Sequence, residues 1–308
     1  MKPVCLPGDP VFVVGTGRCG SSFVHEILCL HEQVGFISNL DDRFASLNFC
    51  GRWNNRILRA LNGRLTQKGA LVRFAPSEAY GLISRRVSHI YRNSFRDLER
   101  SDVTPWLRGR MERMFRERME VQRRPVFIHK YTGWGRIAFF DEIFPDAKFI
   151  HVVRDGRAVV NSWLQMDWWD GYRGPRNWNW GQLTETEACV WQNDRCSFAS
   201  LAALGWCKLV ESLDSGRDMV PSDRFLEISY ERFVESPRLV LKEIFQFIGL
   251  EWSEDFERCF EKQRFLTGRK RGFVEDLGVD EVGRIERIMR SKLLERGYVL
   301  GDEKADFG

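Results

Sequence analysis

An α/β fold, with a central parallel β-sheet flanked by helices, is what this sequence predicts, and three observations carry the prediction. Four apolar runs of strand length, Val11–Val14, Val126–His129, Phe149–Val153 and Phe225–Ser229, alternate with segments whose apolar residues recur at helical spacing. Such alternation implies parallel strands, right-handed crossovers and a ligand crevice at the carboxyl ends of the strands. The first run passes into a helical segment through a turn holding Gly15, Gly17 and Gly20. The chain has 308 residues, 43% of them hydrophobic, which is enough to bury a proper core.

The first of these runs opens the stretch around which the rest is organised, VFVVGTGRCGSSFVHEILCL from Val11 to Leu30. Strand, glycine turn and helix together make an anion cradle. Glycine lets backbone N–H groups converge, and the helix N-terminus adds free amides and the positive end of its dipole. Arg18, inside the turn, carries a fork of donors suited to phosphate or sulfate oxygens. Cys19 reads as a small loop residue, and Ser21 and Ser22 open the helix. An ordinary βα turn would use Gly and Ser for capping alone; the Arg among the glycines and the paired hydroxyls favour the anion site. A Walker A loop ends in Gly-Lys-Ser/Thr, which occurs nowhere in the chain. A nucleoside triphosphate with magnesium is therefore a poor match.

After the first helix, His31 to Phe44 ends in Asp41 and Asp42, and the chain is read as returning toward the site. Apolar residues at helical spacing follow (Ile57, Leu58, Leu61, Leu65; Leu82, Ile83, Val87, Ile90; Leu107, Met111, Met114, Phe115, Met119), with arginines filling the gaps. This reads as a helical insertion, residues 43–124, between the first and second strands. Lys130 follows the second strand, and a helix from Gly135 to Phe144 stops at Pro145. Arg154 stands at the end of the third strand, and Asp155 caps a helix from Arg157 to Met166.

Trp163, Trp168, Trp169, Tyr172, Trp178 and Trp180 crowd the next loop. Their faces suit a sugar or aromatic acceptor, and equally a packed lid that excludes water. Helices near Glu185 to Ser215 lead to the fourth strand, which Tyr230 follows directly. Helices from Phe233 to Ile248, Phe256 to Phe265 and Val282 to Leu294 close the chain, with a basic loop of Arg269, Lys270 and Arg271 before the last. Without internal repeats or a low-complexity linker, one domain is the economical reading.

Charge is unevenly spread. From Arg43 to Arg124 there are 19 Lys plus Arg against 7 Asp plus Glu, a local +12 that leaves −8 for the rest of a chain whose total is +4. The asymmetry suits an anionic partner or a solvated basic face. Eight cysteines show no Cys-x-x-Cys pair and no His at ligand spacing, so neither zinc nor a disulfide framework is indicated. The N-terminus lacks an apolar leader core and no run reaches membrane-span length. A cytoplasmic protein with no nucleic-acid partner and no transmembrane segment is expected.

The anion loop, FIHVVRDGRAVVNSWL from Phe149 to Leu164, and YERFVESPRLVLKEIFQFIGL from Tyr230 to Leu250 together resemble the sulfotransferases that use 3′-phosphoadenosine 5′-phosphosulfate (PAPS). The resemblance covers most of the chain outside the insertion and implies a P-loop-like sheet. It implies that Gly17, Arg18, Cys19, Gly20, Ser21 and Ser22 hold the 5′-phosphosulfate, that Arg154 and Ser162 hold the 3′-phosphate, and that Tyr230 lies beside the nucleotide. Arg269, Lys270 and Arg271 resemble the family's late loop over the 3′-phosphate. The residues agree independently: a strand-end Arg and a hydroxyl eight residues on, about two helical turns away, can grip a phosphate from two directions.

Sulfuryl transfer, like phosphoryl transfer, asks for in-line attack and positive charge on the bridging and equatorial oxygens. A sulfuryl group carries less charge than a phosphoryl group, so side-chain cations suffice and no metal is expected. Arg18 is assigned to the leaving-group side. Lys130 resembles the Lys that glycan-modifying sulfotransferases place near the transferred group, although Tyr131-Thr132 follows it where that branch has Thr-Pro. The acceptor hydroxyl needs a base. The Glu that tyrosyl-protein and heparan sulfotransferases carry after the first helix is absent here, leaving Asp41 or Asp42, with His129 or His25 as substitutes. The implied activity is sulfuryl transfer from PAPS to a hydroxyl on an anionic, aromatic or sugar-bearing acceptor. The alternatives are a small-molecule or nucleotide kinase, and a non-catalytic binder of 3′-phosphonucleotides or anionic glycans.

Overall fold

A computed structural model describes residues 8–44, 49–61, 74–265 and 272–301. Five parallel strands form one sheet in the order β2-β3-β1-β4-β5: β1 (Val11–Val14), β2 (Val34–Gly35), β3 (Val126–Lys130), β4 (Lys148–Val153) and β5 (Phe225–Ser229). The central strand, β1, ends in the glycine turn. Its neighbours end beside it, Val13 pairing with Lys130 of β3 and Val14 with His151 of β4. A ligand at that turn is therefore within reach of both flanking strands.

Successive side chains on a strand point to opposite faces, and the sheet divides its core accordingly. Val11, Val13, Ile128, Ile150, Val152 and Ile228 pack on one face with α1 (Ser21–Cys29), the first helix of the chain. Phe12, Phe127 and Phe149 pack on the other. There Phe12 lies 4.3 Å from Phe140, 5.6 Å from Phe149 and 6.0 Å from Phe115 of the insertion, ring centre to ring centre. Each buried ring contributes on the order of 1.5–3 kcal/mol, so this aromatic layer is a main anchor of the insertion.

The insertion brings α2 (Asn39–Arg43), α3 (Asn54–Ala60), α4 (Tyr80–Arg86), α5 (Ile90–Asn93) and α6 (Pro105–Gln122). Thr104 caps α6 by accepting from the Leu107 N–H, Pro105 fits its first turn, and Leu107, Met111, Met114, Phe115 and Met119 bury one stripe. The remaining helices are α7 (Ile137–Ile143), α8 (Gly156–Leu164), α9 (Glu185–Asn193), α10 (Phe198–Asp218), α11 (Tyr230–Glu235), α12 (Pro237–Ile248), α13 (Glu254–Phe260), α14 (Gly272–Leu277) and α15 (Val279–Glu295). Among the described residues no helix is long and apolar enough to cross a membrane.

The helix expected from Phe256 to Phe265 ends at Phe260, and α14 has no counterpart in the sequence reading. Two further differences have a plain physical cause. The stretch after α1 contains the edge strand β2, so the insertion lies between β2 and β3. Two residues carry no periodicity; tertiary contacts make this strand. The Gln122 side-chain amide accepts from the Phe36 N–H (3.0 Å) and donates to the Phe36 carbonyl (2.9 Å), continuing the ladder as a neighbouring backbone would. The helix read from Phe233 to Ile248 is two helices, because Pro237 cannot continue one and instead opens α12.

Candidate active site

Between β1 and α1 the backbone takes left-handed conformations at Gly17 (φ 82°), Arg18 (φ 54°) and Gly20 (φ 92°). For Arg18 this is a strained choice, of the kind that marks a ligand loop. Gly20 is doubly required: a Cβ there would lie 2.1 Å from the Tyr230 ring, in a conformation that L side chains rarely adopt. Cys19 is buried beneath the loop, and Ser21 and Ser22 start α1. Two clusters of side chains meet this loop, one at each flank.

On the β4 flank, Arg18 Nε donates to Ser162 Oγ (2.8 Å), and Arg154 Nη1 donates to the Arg18 carbonyl (2.9 Å). The Arg154 guanidinium lies over the Tyr230 ring, 5.0 Å from its centre. The structure therefore brings together Arg18, Arg154, Ser162 and Tyr230, which are far apart in sequence. Asp155, the obvious carboxylate for Arg154, is instead committed to the α8 cap and to Arg157. Among the described residues neither Arg18 nor Arg154 has an ion-pair partner. Trp163, buried one residue after Ser162, lies beside Gly17, and its indole N–H finds no acceptor there. Two unpaired guanidiniums and an orphaned buried donor beside a strained glycine loop fit an anionic ligand.

On the β3 flank, Lys130 is buried and its Nζ donates to Ser22 Oγ (2.7 Å) while pairing with Glu78 Oε1 (2.7 Å). Thr132 Oγ1 donates to the same Glu78 oxygen (2.8 Å). Tyr80 donates through its hydroxyl to the Thr132 carbonyl (3.0 Å), tying the end of the insertion to the strand end. Burial, reinforced by Glu78, pushes the Tyr80 hydroxyl up to about 12, so it stays a donor at neutral pH. Glu78 went unnoticed in the sequence because no motif frames it. One signal was available: it is the sole acidic residue between Asp42 and Asp97.

Asp41 and Asp42 are placed differently from the sequence reading. Asp41 is 1% exposed, and its Oδ2 accepts from the Ser38 N–H, the Ser38 hydroxyl and Asn54, forming the reciprocal cap of α2. Asp42 accepts from the Leu82 N–H and packs α2 on α4. Short polar side chains at a helix start are drawn to the free backbone amides, and here that pull dominates. His129 and His25 are buried as well. Desolvation, helped by Lys130, lowers the His129 imidazole to about 3 and His25 well below its ordinary value. His129 packs edge-on against Phe12 and Phe115, on the face away from Lys130.

The aromatic segment divides between its two readings. Trp163 and Trp180 pack at 4.3 Å, and Trp178 and Trp169 are buried, whereas Trp168 and Tyr172 are 46% and 57% exposed. Arg269, Lys270 and Arg271 lie outside the described residues.

A family model described as the sulfotransferase family matches residues 10–254. The chain is 25% identical over 280 residues to the omega-hydroxy-beta-dihydromenaquinone-9 sulfotransferase Stf3 of Mycobacterium bovis and to its Mycobacterium tuberculosis counterpart. That match covers 83% of this chain but only 65% of the length of those relatives. Among solved structures, sulfotransferase STF9 from Mycobacterium avium is similar at a TM-score of 0.59 and 14% identity, covering 95% of this chain and 78% of that one. The sulfotransferase domain from the curacin biosynthetic pathway is similar at 0.52 and 13%, covering 96% and 99%. These likenesses bear on the fold, a parallel sheet of the P-loop-like kind with its glycine turn at the centre. With a match that runs from the residue before β1 into α13, and so spans the loop and both of its flanks, this chain belongs to the sulfotransferase family.

Proposed function

We propose that the chain transfers a sulfuryl group from PAPS to an acceptor hydroxyl. The observation that carries the reading is the meeting of two charged clusters at one strained loop, Arg18–Ser162–Arg154–Tyr230 on one flank and Ser22–Lys130–Glu78–Thr132 on the other. A donor with anionic groups at both ends calls for such an arrangement. PAPS supplies the activated sulfuryl group. The backbone amides of the loop from Gly17 to Ser22 face its 5′ end, with Ser21 and Ser22 at the start of α1 adding hydroxyls and the dipole of the helix N-terminus. Arg154 and Ser162 hold the 3′-phosphate, and Tyr230 bounds the nucleotide.

Arg18 reaches toward Ser162 in this structure, so it serves both ends: its backbone shapes the 5′ cradle and its guanidinium joins the 3′ cluster. Lys130 is the cation for charge developing on the transferred group and leaving oxygen, being buried where a charge interaction is strong. Glu78, in place of Asp41 or Asp42, takes the acceptor proton. As the acceptor oxygen bonds to sulfur and the bond from sulfur to the nucleotide phosphate breaks, the hydroxyl proton passes to the Glu78 carboxylate. Lys130, 2.7 Å away, holds that carboxylate in place.

For the acceptor, the mycobacterial relatives are named for a hydroxylated menaquinone, a lipid alcohol. The exposed Trp168 and Tyr172, in the segment after the helix that carries Ser162, suit an apolar, aromatic or sugar-bearing alcohol. Turnover of PAPS over a panel of lipid, phenolic and sugar alcohols tests the activity, with release of 3′-phosphoadenosine 5′-phosphate (PAP) dependent on acceptor as the expected result. No turnover on any acceptor despite tight PAP binding would make the chain a binder. Binding of ATP with magnesium in preference to PAP would make it a kinase-like protein.

A further inference from the structure

At the opposite end of β3 from Lys130, the insertion builds a second basic surface. Arg52 and Arg56, at the start of α3, and Arg123 and Arg124, just after α6, line a groove of about 590 Å³ together with Trp53 and Gln122. Glu120 is the one carboxylate on its rim and forms no ion pair with these arginines among the described residues. Arg59 of α3 is taken by Asp255 (3.2 Å), but Arg52, Arg56, Arg123 and Arg124 have no carboxylate partner there. The surface is also crowded. Partial burial, with Arg56 and Arg59 beside it, disfavours the charge on Arg124, against a smaller opposing pull from Glu32. Trp53 is 41% exposed, and the Arg52 guanidinium lies 5.8 Å from its ring centre.

Like charges that outnumber the carboxylates around them are costly unless an anion relieves them. The floor is rigid: the buried Gln122 is fixed to Phe36 and to the Cys50 carbonyl (3.1 Å). From Arg124 to Lys130 the chain advances six residues, about 20 Å if extended, so one nucleotide at the glycine loop does not fill this groove.

We propose that this groove is a second anion site, which takes a ligand bearing several phosphate groups, with Arg52, Arg56, Arg123 and Arg124 as the phosphate ligands and Trp53 as an apolar wall. The chemistry is that of clustered phosphates, whether on a soluble polyphosphate or on lipid headgroups at a membrane surface. The site is independent of the reading of the donor site.

Binding is measured to inositol hexakisphosphate in solution and to phosphatidylcholine vesicles with and without phosphatidic acid, each in the presence and absence of PAP. The expected result is binding to at least one phosphate probe that weakens with added salt, is not displaced by PAP, and falls about tenfold or more in Arg52→Gln/Arg56→Gln/Arg123→Gln/Arg124→Gln. Binding to vesicles alone names the lipid surface as the source; binding to the soluble probe names a free polyphosphate. The single variants Arg56→Gln and Arg123→Gln, both at exposed positions, each lose a smaller fraction and decide the matter if the fourfold variant does not fold. Wild-type binding in these variants, displacement by PAP, or no binding to either probe overturns the proposal.

Discussion

The two flanks of the glycine loop carry positive charge in opposite ways. On the β4 flank Arg18 and Arg154 are at least partly open to solvent and have no carboxylate among the described residues. On the β3 flank Lys130 is buried and already compensated by Glu78 at 2.7 Å. An open, uncompensated pair of guanidiniums is built to receive charge from outside. A buried cation held against a carboxylate gains little from binding alone, since its charge is already met, and is suited to a step in which acid and base act together. On the proposed function, donor affinity falls to one flank and turnover to the other.

Substitutions can break that division. The largest effect is expected from Glu78→Gln, which keeps the shape but removes the base: kcat falls about 10²–10⁴-fold with little change in donor affinity. Lys130→Ala falls by about 10²–10³ in kcat. Single-turnover rates at saturating PAPS check both. A Glu78→Gln protein that turns over normally would return the β3 flank to a structural role. Next, Arg154→Ala raises KM for the donor about 10–100-fold, the loss of a charge-assisted contact worth roughly 1.5–3 kcal/mol, with kcat at saturation nearly unchanged. If kcat instead falls in proportion, the flanks are not separable.

Gly20→Ala sharpens the comparison from the loop between them, because its Cβ would collide with Tyr230 and its φ of 92° would be strained. PAP affinity and melting temperature should both drop, and Tyr230→Ala in the same chain should restore part of the melting temperature; no such rescue would locate the defect in the backbone alone. Asp41→Asn and Asp42→Asn should keep near wild-type turnover per folded molecule. For Asp41 the cost is in stability, about 1–2 kcal/mol from the α2 cap, read by urea unfolding.

A further effect, on stability and not on turnover, is one of pH. The His129 imidazole is lowered from an ordinary 6.5 to about 3. Between those values the unfolded chain binds the proton and the folded chain does not, so stability is full above about pH 6.5 and is lost as pH falls toward 3. His25 acts in the same direction. Thermal melts from pH 8 to pH 4 should show a falling Tm, with a shallower fall in His129→Phe if that variant folds.

How much of this was legible beforehand follows from the range of the interactions involved. Strands β1, β3, β4 and β5 announce themselves as apolar runs, and Arg18, Arg154, Ser162 and Tyr230 occupy motif positions next to them, so the β4 flank could be read from local sequence. The β3 flank could not. Glu78 reaches Lys130 across 52 residues of chain, and the edge strand β2 depends on a Gln122 side chain 86 residues from Phe36. Asp41 and Asp42 misled for a related reason. Paired acids in a loop are more often caps or turn formers than catalytic groups, and the amides of α2 and α4 that they accept from come together only once the helices are packed.

The most direct measurement is a calorimetric comparison of PAP with adenosine 5′-phosphate, on the wild type and on Arg154→Ala. If one nucleotide is held at both charged ends, the wild type favours PAP by about tenfold or more, and the preference shrinks to about threefold or less once Arg154 is gone. A preference that survives intact in Arg154→Ala, or a wild type indifferent to the 3′-phosphate, would contradict a grip at both ends.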